Sequence, residues 1–296
     1  MLSARDADAP PFSLVVTTIG RPETFSRLLA SLADEWAAGA VFELIVVDQD
    51  PARRSLTILE SEPRPYAWRH LTSGRGASVG RNVGLAVAQG HIVGFPDDDV
   101  WYSGDTLGGV RAVFDAFPFI AGVSGRLVSA ESQPIMLRWL RRPAWVTPLN
   151  YHRASIGSTL FYRRSAVSSA GTFDEEMGVG SQGWYGSAEE SDLLVRVLAL
   201  GGSVRYVPTI AIRHDPFSSD MAGGMGPKML LYGAGQGYFW RKHTYPKRYV
   251  CWMLLRKFVK AVLWTARGRR KEAGHDLAWA YGAICGFTGR KPRGLS

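Results

Sequence analysis

The residues best placed to do chemistry are Asp97, Asp98 and Asp99, three consecutive carboxylates directly behind the apolar run "HIVGF". Like charges in a row repel, so a triplet ending a buried strand calls for a positive partner. A hard divalent cation, Mg²⁺ or Mn²⁺, meets that need, because it takes oxygen ligands and leaves positions for water and substrate phosphates. The plainer reading is a solvated acidic turn, with Asp105 as an alternative cap for the next helix. Just upstream, "SGRGASVGRNVGLAVAQG" carries Gly74, Gly76 and Gly80, which let backbone approach a ligand, and Arg75 and Arg81, which bind phosphate oxygens or stack on a base. Asn82 adds a donor and an acceptor. The loop matches neither a dinucleotide-binding fingerprint nor a Walker loop. Asp48 and Asp50 end a second apolar run, "FELIVVDQDP". A carboxylate there accepts from a pyrimidine N–H or caps a turn with Pro51.

A second acidic set opens "EESDLLVRVLAL". On a helix Glu189 and Asp192 face one way and Glu190 another. Acids at a helix start complement its dipole; Glu190 or Glu189 could instead act as a general base on a sugar hydroxyl. Trp184 and Tyr185, just before, suit stacking on a pyranose ring and serve equally in a core. His214 ends the short run "AIRH". It is either a packed histidine or a further metal contact from the C-terminal half.

The elements that must position these residues alternate. "FSLVVTT", "FELIVVD", "YAWRHLT" and "HIVGF" read as buried strands. Between them lie a helix opened by Pro22 and Glu23, a short helix over 52–62, and the helix after the glycine-rich loop. Such alternation predicts an α/β fold with a doubly wound parallel sheet. Ligands of such sheets bind beyond the carboxyl ends of the strands. Thr17, Thr18, Asp48, Asp50, Ser73 and the aspartate triplet all fall there, and Arg21 follows in the first turn. The second half predicts a helix over 104–117, strands at "FIAGVSGRLVS" and "GSTLFYRR", and a helix over 187–202. Two short strands, "SVRYVP" and "AIRH", follow, with helices from Pro227 onward.

Length and composition set the outer limits. The 296 residues suit one large domain or two fused halves, and 46% apolar with 21% charged residues excludes a disordered chain. No run of about 18 apolar residues occurs, so no membrane span is expected. The polar start, "MLSARDADAPPF", lacks the apolar centre of a signal sequence. Cys251 and Cys285 fit no metal or redox spacing, and a reduced cytoplasm is the simplest context. The net charge of +9 favours a polyanionic partner. Much of it lies near the C-terminus, where Arg256, Lys260 and Arg267 share a helical face. Trp252, Leu255, Val259, Val262 and Leu263 lie largely elsewhere around that helix. It either packs on the main domain or lies in a membrane interface. With no zinc finger and no DNA-reading helix evident, lipid phosphate is favoured over nucleic acid.

Taken in order, "SLVVTTIGRPETFSRLLASL", "ELIVVDQDP", "GRGASVGRNVGLAVAQGHIVGFPDDDVWY", "GSTLFYRRSAVSSAGTFDEEMG" and "GSAEESDLLVRVLALGGSVRYVP" resemble a family 2 glycosyltransferase of the GT-A fold, over roughly residues 12 to 215. "YGAGQGYFWRKHTYP" is similar to a bacterial subgroup of exopolysaccharide and cell-surface glycan assembly. The resemblance implies a mostly parallel, Rossmann-like sheet with a nucleotide-sugar half over 1–103, an acceptor half over 104–245 and C-terminal amphipathic helices over 246–296. It implies inverting sugar transfer from a UDP-, GDP- or dTDP-linked donor to a glycan or lipid-linked hydroxyl, with Mg²⁺ or Mn²⁺. Thr17, Thr18, Arg21, Asp48, Asp50, Gly76, Arg81, Asn82, Asp97 and Asp98 would bind the donor. Asp97, Asp98, Asp99 and His214 would hold the metal, and Trp184 and Tyr185 the acceptor. Glu190 would be the base, within a set that includes Glu189 and Asp192. The second strand ends Asp-Gln-Asp where the family has adjacent aspartates, and Glu189-Glu190 replaces its Glu-Asp pair. Asp48 and Asp50, and likewise Glu189 and Glu190, therefore stand as alternatives. The expected place is the cytoplasm, at the inner membrane face, with anionic-membrane contact through the C-terminal helices and no nucleic-acid partner. Two other classes fit the residues alone: a nucleotidyltransferase releasing pyrophosphate, and a non-catalytic glycan- or membrane-binding protein.

Overall fold

The structure, a computed structural model, describes residues 11–215 and 225–292. The polar N-terminal start up to residue 10, and the Pro216-Phe217 that follow the "AIRHD" run, lie outside the described residues. Two compact units emerge, the first of residues 11–74, 79–172 and 193–215, the second of 75–78, 173–192 and 225–292.

The first unit is built on one sheet. In chain order its elements are β1 (Phe12–Thr18), α1 (Pro22–Ala37), β2 (Phe42–Asp48), α2 (Arg54–Glu60), β3 (Ala67–Thr72), α3 (Ala77–Val87), β4 (Ile92–Gly94), β5 (Val100–Trp101), α4 (Thr106–Ala116), β6 (Gly122–Val128), β7 (Ala144–Trp145), β8 (Leu160–Arg163), α5 (Arg164–Ala170), α6 (Glu189–Ala199) and β9 (Val204–His214). The first residues of α3 and of α6 belong to the second unit. The sheet order is β3-β2-β1-β4-β8-β6-β9-β5, with β7 also paired to β9. From β3 to β4 every pairing is parallel. β8 enters antiparallel between β4 and β6, while β6 and β9 run parallel.

Every residue of β2, and all of β1 except Thr17, is buried. That is why these runs are predominantly apolar rather than alternating, with Glu43 of β2 accepting from the Ser13 hydroxyl of β1 at 2.6 Å. Helix α1 buries Phe25, Leu28, Leu29 and Leu32, the spacing of one helical face. Its Pro22 and Glu23 sit in the first turn as the sequence predicts. Gly80 and Gly84 bring α3 down on the sheet: a Cβ would stand 2.6 Å from a Thr17 methyl and 2.3 Å from a Val15 methyl. Asp105 caps α4, accepting from the Gly108 N–H at 3.0 Å. Glu35 of α1 supports the same helix end by accepting from the Thr106 and Leu107 N–H groups, both at 2.9 Å.

The predicted pair of short strands around Pro208 is one strand, β9, of 11 residues. Its burial alternates without a break through the proline. The ladder to β6 shifts register between Ser124 and Arg126, so Pro208 falls where no donor is required. Two short strands, β5 and β7, carry no signal in the sequence.

The second unit contains α7 (Met225–Lys242), α8 (Lys247–Ala266) and α9 (Arg270–Thr288). Helices α7 and α9 touch through backbone. A Cβ on Gly233 would stand 1.9 Å from the Trp279 carbonyl oxygen, and one on Gly237 2.0 Å from that of Ala283. On the facing helix, Gly282 and Gly286 meet the Leu230 and Ala234 carbonyls at 2.1 and 2.0 Å in the same sense. Each helix thus carries a small-xxx-small pair that lets two backbones approach. Among the described residues no helix is long and apolar enough to cross a membrane.

Candidate active site

In the first unit the acidic triplet is held by the register of its neighbours. Parallel pairing sets Leu14 opposite Gly94, and the next bridge sets Thr17 beside Asp97. β5 pairs antiparallel with β9, placing Val100 opposite His214. A residue from a distant part of the chain is thereby delivered to Asp99, whose Oδ1 lies 3.4 Å from His214 Nε2.

The three aspartates have different surroundings. Asp97 is half-buried and faces Arg81 Nη2 at 3.1 Å. Arg81 is itself buried. Asp98 is buried, accepts from the Thr18 hydroxyl at 2.6 Å, and lies 3.3 Å from Arg21. Asp99 pairs with Arg21 and His214. Burial pushes the Asp98 carboxyl up to about 6, against the pull of Arg21 and Thr18. Burial acts on Asp99 the same way, but hydrogen bonding to His214 and the charge of Arg21 outweigh it and hold that carboxyl below its ordinary range. Burial depresses the His214 imidazole, and Asp99 more than offsets this, so the net direction is up. Arg21 is raised likewise, Asp98 and Asp99 outweighing its partial burial.

The other donor-side candidates line the same strand ends. Asp48 is buried and engaged by Ser55; its Oδ1 accepts from the Asp50 N–H at 2.8 Å and its Oδ2 lies 3.2 Å from His70 Nε2. Asp50 accepts from Arg54 Nε at 2.6 Å, which with neighbouring backbone N–H groups holds it at about 2. Gln49, which the sequence does not mark, donates to Ser73 Oγ at 2.9 Å and to the Gly74 carbonyl at 2.7 Å, tying the β2 end to the glycine-rich loop. Thr17 and Asn82 are half-buried.

Among the described residues, no group of three or more His, Cys, Asp or Glu side chains forms a ready-made metal site. The donor set nevertheless suits a hard divalent ion. Asp99 and His214 offer an oxygen and an imidazole nitrogen 3.4 Å apart. Adjacent ligands of an octahedral ion with bonds of about 2.1 Å stand roughly 3 Å apart. Asp97 adds a part-exposed carboxylate, while Asp98 turns inward to Thr18 and Arg21.

In the second unit, Gly76 and Gly178 both adopt positive φ, +125° and +103°. The Ala77 N–H donates to the Val179 carbonyl and the Ser78 hydroxyl to that of Met177, so the glycine-rich turn is clamped to residues 177–179. A Cβ on Gly178 would lie 3.0 Å from the Glu189 carboxyl carbon. Glu189 is buried beneath that turn, whereas Glu190 is half-buried. Ala188, at φ +71°, sets the entry to α6; a left-handed non-glycine residue costs about 1 kcal/mol. Asp192 is fully buried, with Oδ1 2.9 Å from Lys242 Nζ and 2.8 Å from His243 Nε2. Lys242 also reaches Asp174 at 2.6 Å. Asp192 therefore anchors α7.

Trp184 and Tyr185 are joined by a residue the sequence does not mark. Tyr185 stacks on Tyr238 of α7 with centroids 4.1 Å apart, and Trp184 tilts against Tyr185 at 4.2 Å. Arg241 lies over Tyr238 and donates to the Tyr185 hydroxyl at 3.2 Å. Burial, with Asp174 and Glu176 nearby, pushes the Tyr238 hydroxyl up to about 12. Tyr238 and Tyr185 are far apart in sequence, and no spacing rule connects them.

Comparison with known proteins bears on the family and the fold. The curated relatives include the Pre-mycofactocin glycosyltransferase of Mycobacterium tuberculosis (strain CDC 1551 / Oshkosh), 29% identical over 158 residues, or 49% of this chain and 31% of that protein. The protein of strain ATCC 25618 / H37Rv matches equally. The match spans about a third of the length of these curated relatives. Among solved structures, residues 1–349 of S. aureus TarS align with a TM-score of 0.59 at 17% identity, covering 95% of this chain and 93% of that one. The mannosyltransferase PcManGT from Pyrobaculum calidifontis, in complex with GDP-Man and Mn²⁺, aligns with a TM-score of 0.65 at 14% identity, covering 97% and 89%. At such identities the likeness is one of fold, and the fold is GT-A. The sequence profile described as Glycosyl transferase family 2 matches residues 13–168. That stretch is more than half of the 296 residues and carries the strand ends, the glycine-rich loop and the aspartate triplet, and by it the chain belongs to glycosyl transferase family 2.

Proposed function

We propose that this chain moves a sugar from a nucleotide-diphosphate sugar to a hydroxyl of a glycan or lipid-linked acceptor, with inversion at the anomeric carbon. The observation that carries the reading is the meeting of Asp97, Asp99, Arg21, Arg81 and His214 at the strand ends of a family 2 chain. The fold neighbours support it, being complexes with UDP, UDP-GlcNAc, or GDP-Man and Mn²⁺. The donor half would be residues 1–103, the acceptor half 104–245, and the place of action the inner face of the cell membrane.

In this reading Asp97, Asp99 and His214 hold Mg²⁺ or Mn²⁺, and Arg21 and Arg81 exchange their carboxylate partners for diphosphate oxygens. A divalent ion bound there offsets the charge that builds on the departing diphosphate. Asp98 keeps Arg21 and Thr18 in position. Asp48 and Asp50 both stand as base-binding candidates, since each carboxylate is engaged through both oxygens by the β2–α2 turn and its neighbours. Glu190 takes the proton of the acceptor hydroxyl, since Glu189 is buried under Gly178. The stacked Trp184, Tyr185 and Tyr238 support the acceptor ring.

The test is an assay of the released nucleotide across UDP-, GDP- and dTDP-sugars with Mn²⁺. Release of nucleoside diphosphate, lost on chelation and in Asp99→Ala, is expected; the variant should lose about three orders of magnitude. Pyrophosphate release would identify a nucleotidyltransferase instead. Glycan binding indifferent to chelator, with no turnover, would identify a binding protein.

A further inference from the structure

Helix α8 is attached to its unit along a thin line. Of its residues only Val250 and Ala261 are buried. Lys257 and Trp264 add bonds to Asp276 of α9, at 2.8 and 3.2 Å. Around the other side Trp252, Leu255, Phe258, Val259, Val262 and Leu263 are 41% to 68% exposed. At 100° per residue these six span an arc of roughly 140° pointing away from Val250 and Ala261. Isolated exposed apolar residues are ordinary; six in one contiguous strip are not.

The charge around this strip is one-sided. From Lys247 to Lys271 the chain holds nine Lys and Arg side chains and no Asp or Glu. Removing those nine from the chain's 35 Lys and Arg leaves 26, equal to its 26 Asp and Glu. The nine lie on α8, the turn after it and the first two residues of α9. Lys257 and Lys260 pair with Asp276 and Arg269 with Glu272, which leaves six without an acidic partner among the described residues. Arg256 and Lys260 border the apolar arc and are exposed. Arg269 and Lys260 lie over the Trp264 ring, at 4.2 and 5.6 Å from its centroid.

We infer that this face docks on an anionic phospholipid bilayer, with Trp252, Leu255, Val259 and Val262 entering the headgroup boundary and the flanking basic side chains meeting lipid phosphates. An apolar strip alone would also suit a second copy of the chain. The charge argues against that, because a two-fold contact would set one predominantly basic face against another. An apolar strip with a wholly basic border matches a surface that is greasy within and negative at its edge. The inference is independent of the sugar-transfer reading, since none of these residues belongs to the candidate active site.

The experiment is co-sedimentation of the full chain with phosphatidylcholine vesicles and with vesicles containing about 30% phosphatidylglycerol. Binding to the anionic vesicles should be at least about tenfold tighter, and should weaken as salt rises. The triple variant Trp252→Ser, Leu255→Ser, Val259→Ser should lose it, as should Arg248→Glu with Arg256→Glu. Both variants alter exposed side chains, so their thermal melting should match the parent. Asp99→Ala should sediment as the parent does, which separates this inference from the failure of the catalytic one. Three results would overturn it: no vesicle binding, equal binding to neutral vesicles, or a concentration-dependent dimer abolished by the triple serine variant without lipid binding. Tighter binding to an oligonucleotide than to anionic vesicles, unaffected by the serine changes, would also overturn it.

Discussion

The two units both gather carboxylates, at the strand ends of the first and at the start of α6 in the second, and they treat them differently. In the first, Asp97 and Asp99 are only partly buried and their partners are basic side chains: Arg21 just before α1, Arg81 of α3 and His214 of β9. In the proposed reading a metal ion or a phosphate exchanges with such partners at the part-exposed carboxylates. In the second, Asp192 is sealed from solvent between Lys242 and His243, and Glu189 lies under the Gly178 turn. Those two acids are buried, whereas Glu190 is half-buried. In the proposed reading an acidic cluster serves as a reaction centre where its partners are replaceable, and as an anchor where they are sealed in.

The sharpest way to break the comparison is Glu190→Gln. It should lower the rate of transfer about a thousandfold while donor binding, followed by thermal shift, is retained. If Glu189→Gln alone had that effect, the roles of the two acids would be reversed. Next in size is Asp192→Asn, which strips a buried counter-charge from Lys242 and a carboxylate partner from His243. A loss of about 3 kcal/mol in urea unfolding is expected, and a loss of activity without a loss of stability would make Asp192 catalytic instead. Gly286→Val tests the second unit alone. Its Cβ would stand 2.0 Å from the Ala234 carbonyl oxygen, so α7 and α9 must part. About 2 kcal/mol of destabilisation should follow, measured by the same unfolding curve.

The smallest effect concerns pH. Asp98 sits at about 6, above its unfolded value, so it binds protons more readily in the folded chain. Its contribution to stability is present at low pH and is lost as pH rises through about 6. His214 is raised as well and acts in the same direction, and Asp99, which is lowered, changes nothing above about pH 5. The ligand-free chain should therefore melt at a higher temperature at about pH 5 than at about pH 7. Mn²⁺ affinity should move the other way, about tenfold weaker at the lower pH, because the ion competes with protons at His214 and the carboxylates. Parallel trends in the two measurements would separate the aspartate triplet from the metal.

Much of the first unit is legible in the sequence. β1, β2 and β4 are predominantly apolar runs, the pattern of strands covered on both faces, and Pro22 and Asp105 mark helix starts by local chemistry. Residues at the ends of those runs fall along one sheet edge on the strength of the pattern alone. β5 and β7 are invisible there, since a two-residue strand carries no period. The pattern divides β9 at Pro208 because a proline ordinarily ends a strand, and the local register shift that accommodates it is a property of β6. The small-xxx-small spacings Gly233/Gly237 and Gly282/Gly286 are present in the sequence, but they acquire meaning only once two helices are known to face each other.

By itself, the amino-acid sequence determined the α/β class, the family resemblance, and the edge on which the acidic triplet stands, because burial periodicity and capping act within a few residues. Tertiary structure alone decided which acid is sealed and which is accessible, that Val100 pairs with His214, and that α8 turns its apolar side outward. These outcomes depend on contacts between residues far apart in the chain, and short-range pattern contains no term for them.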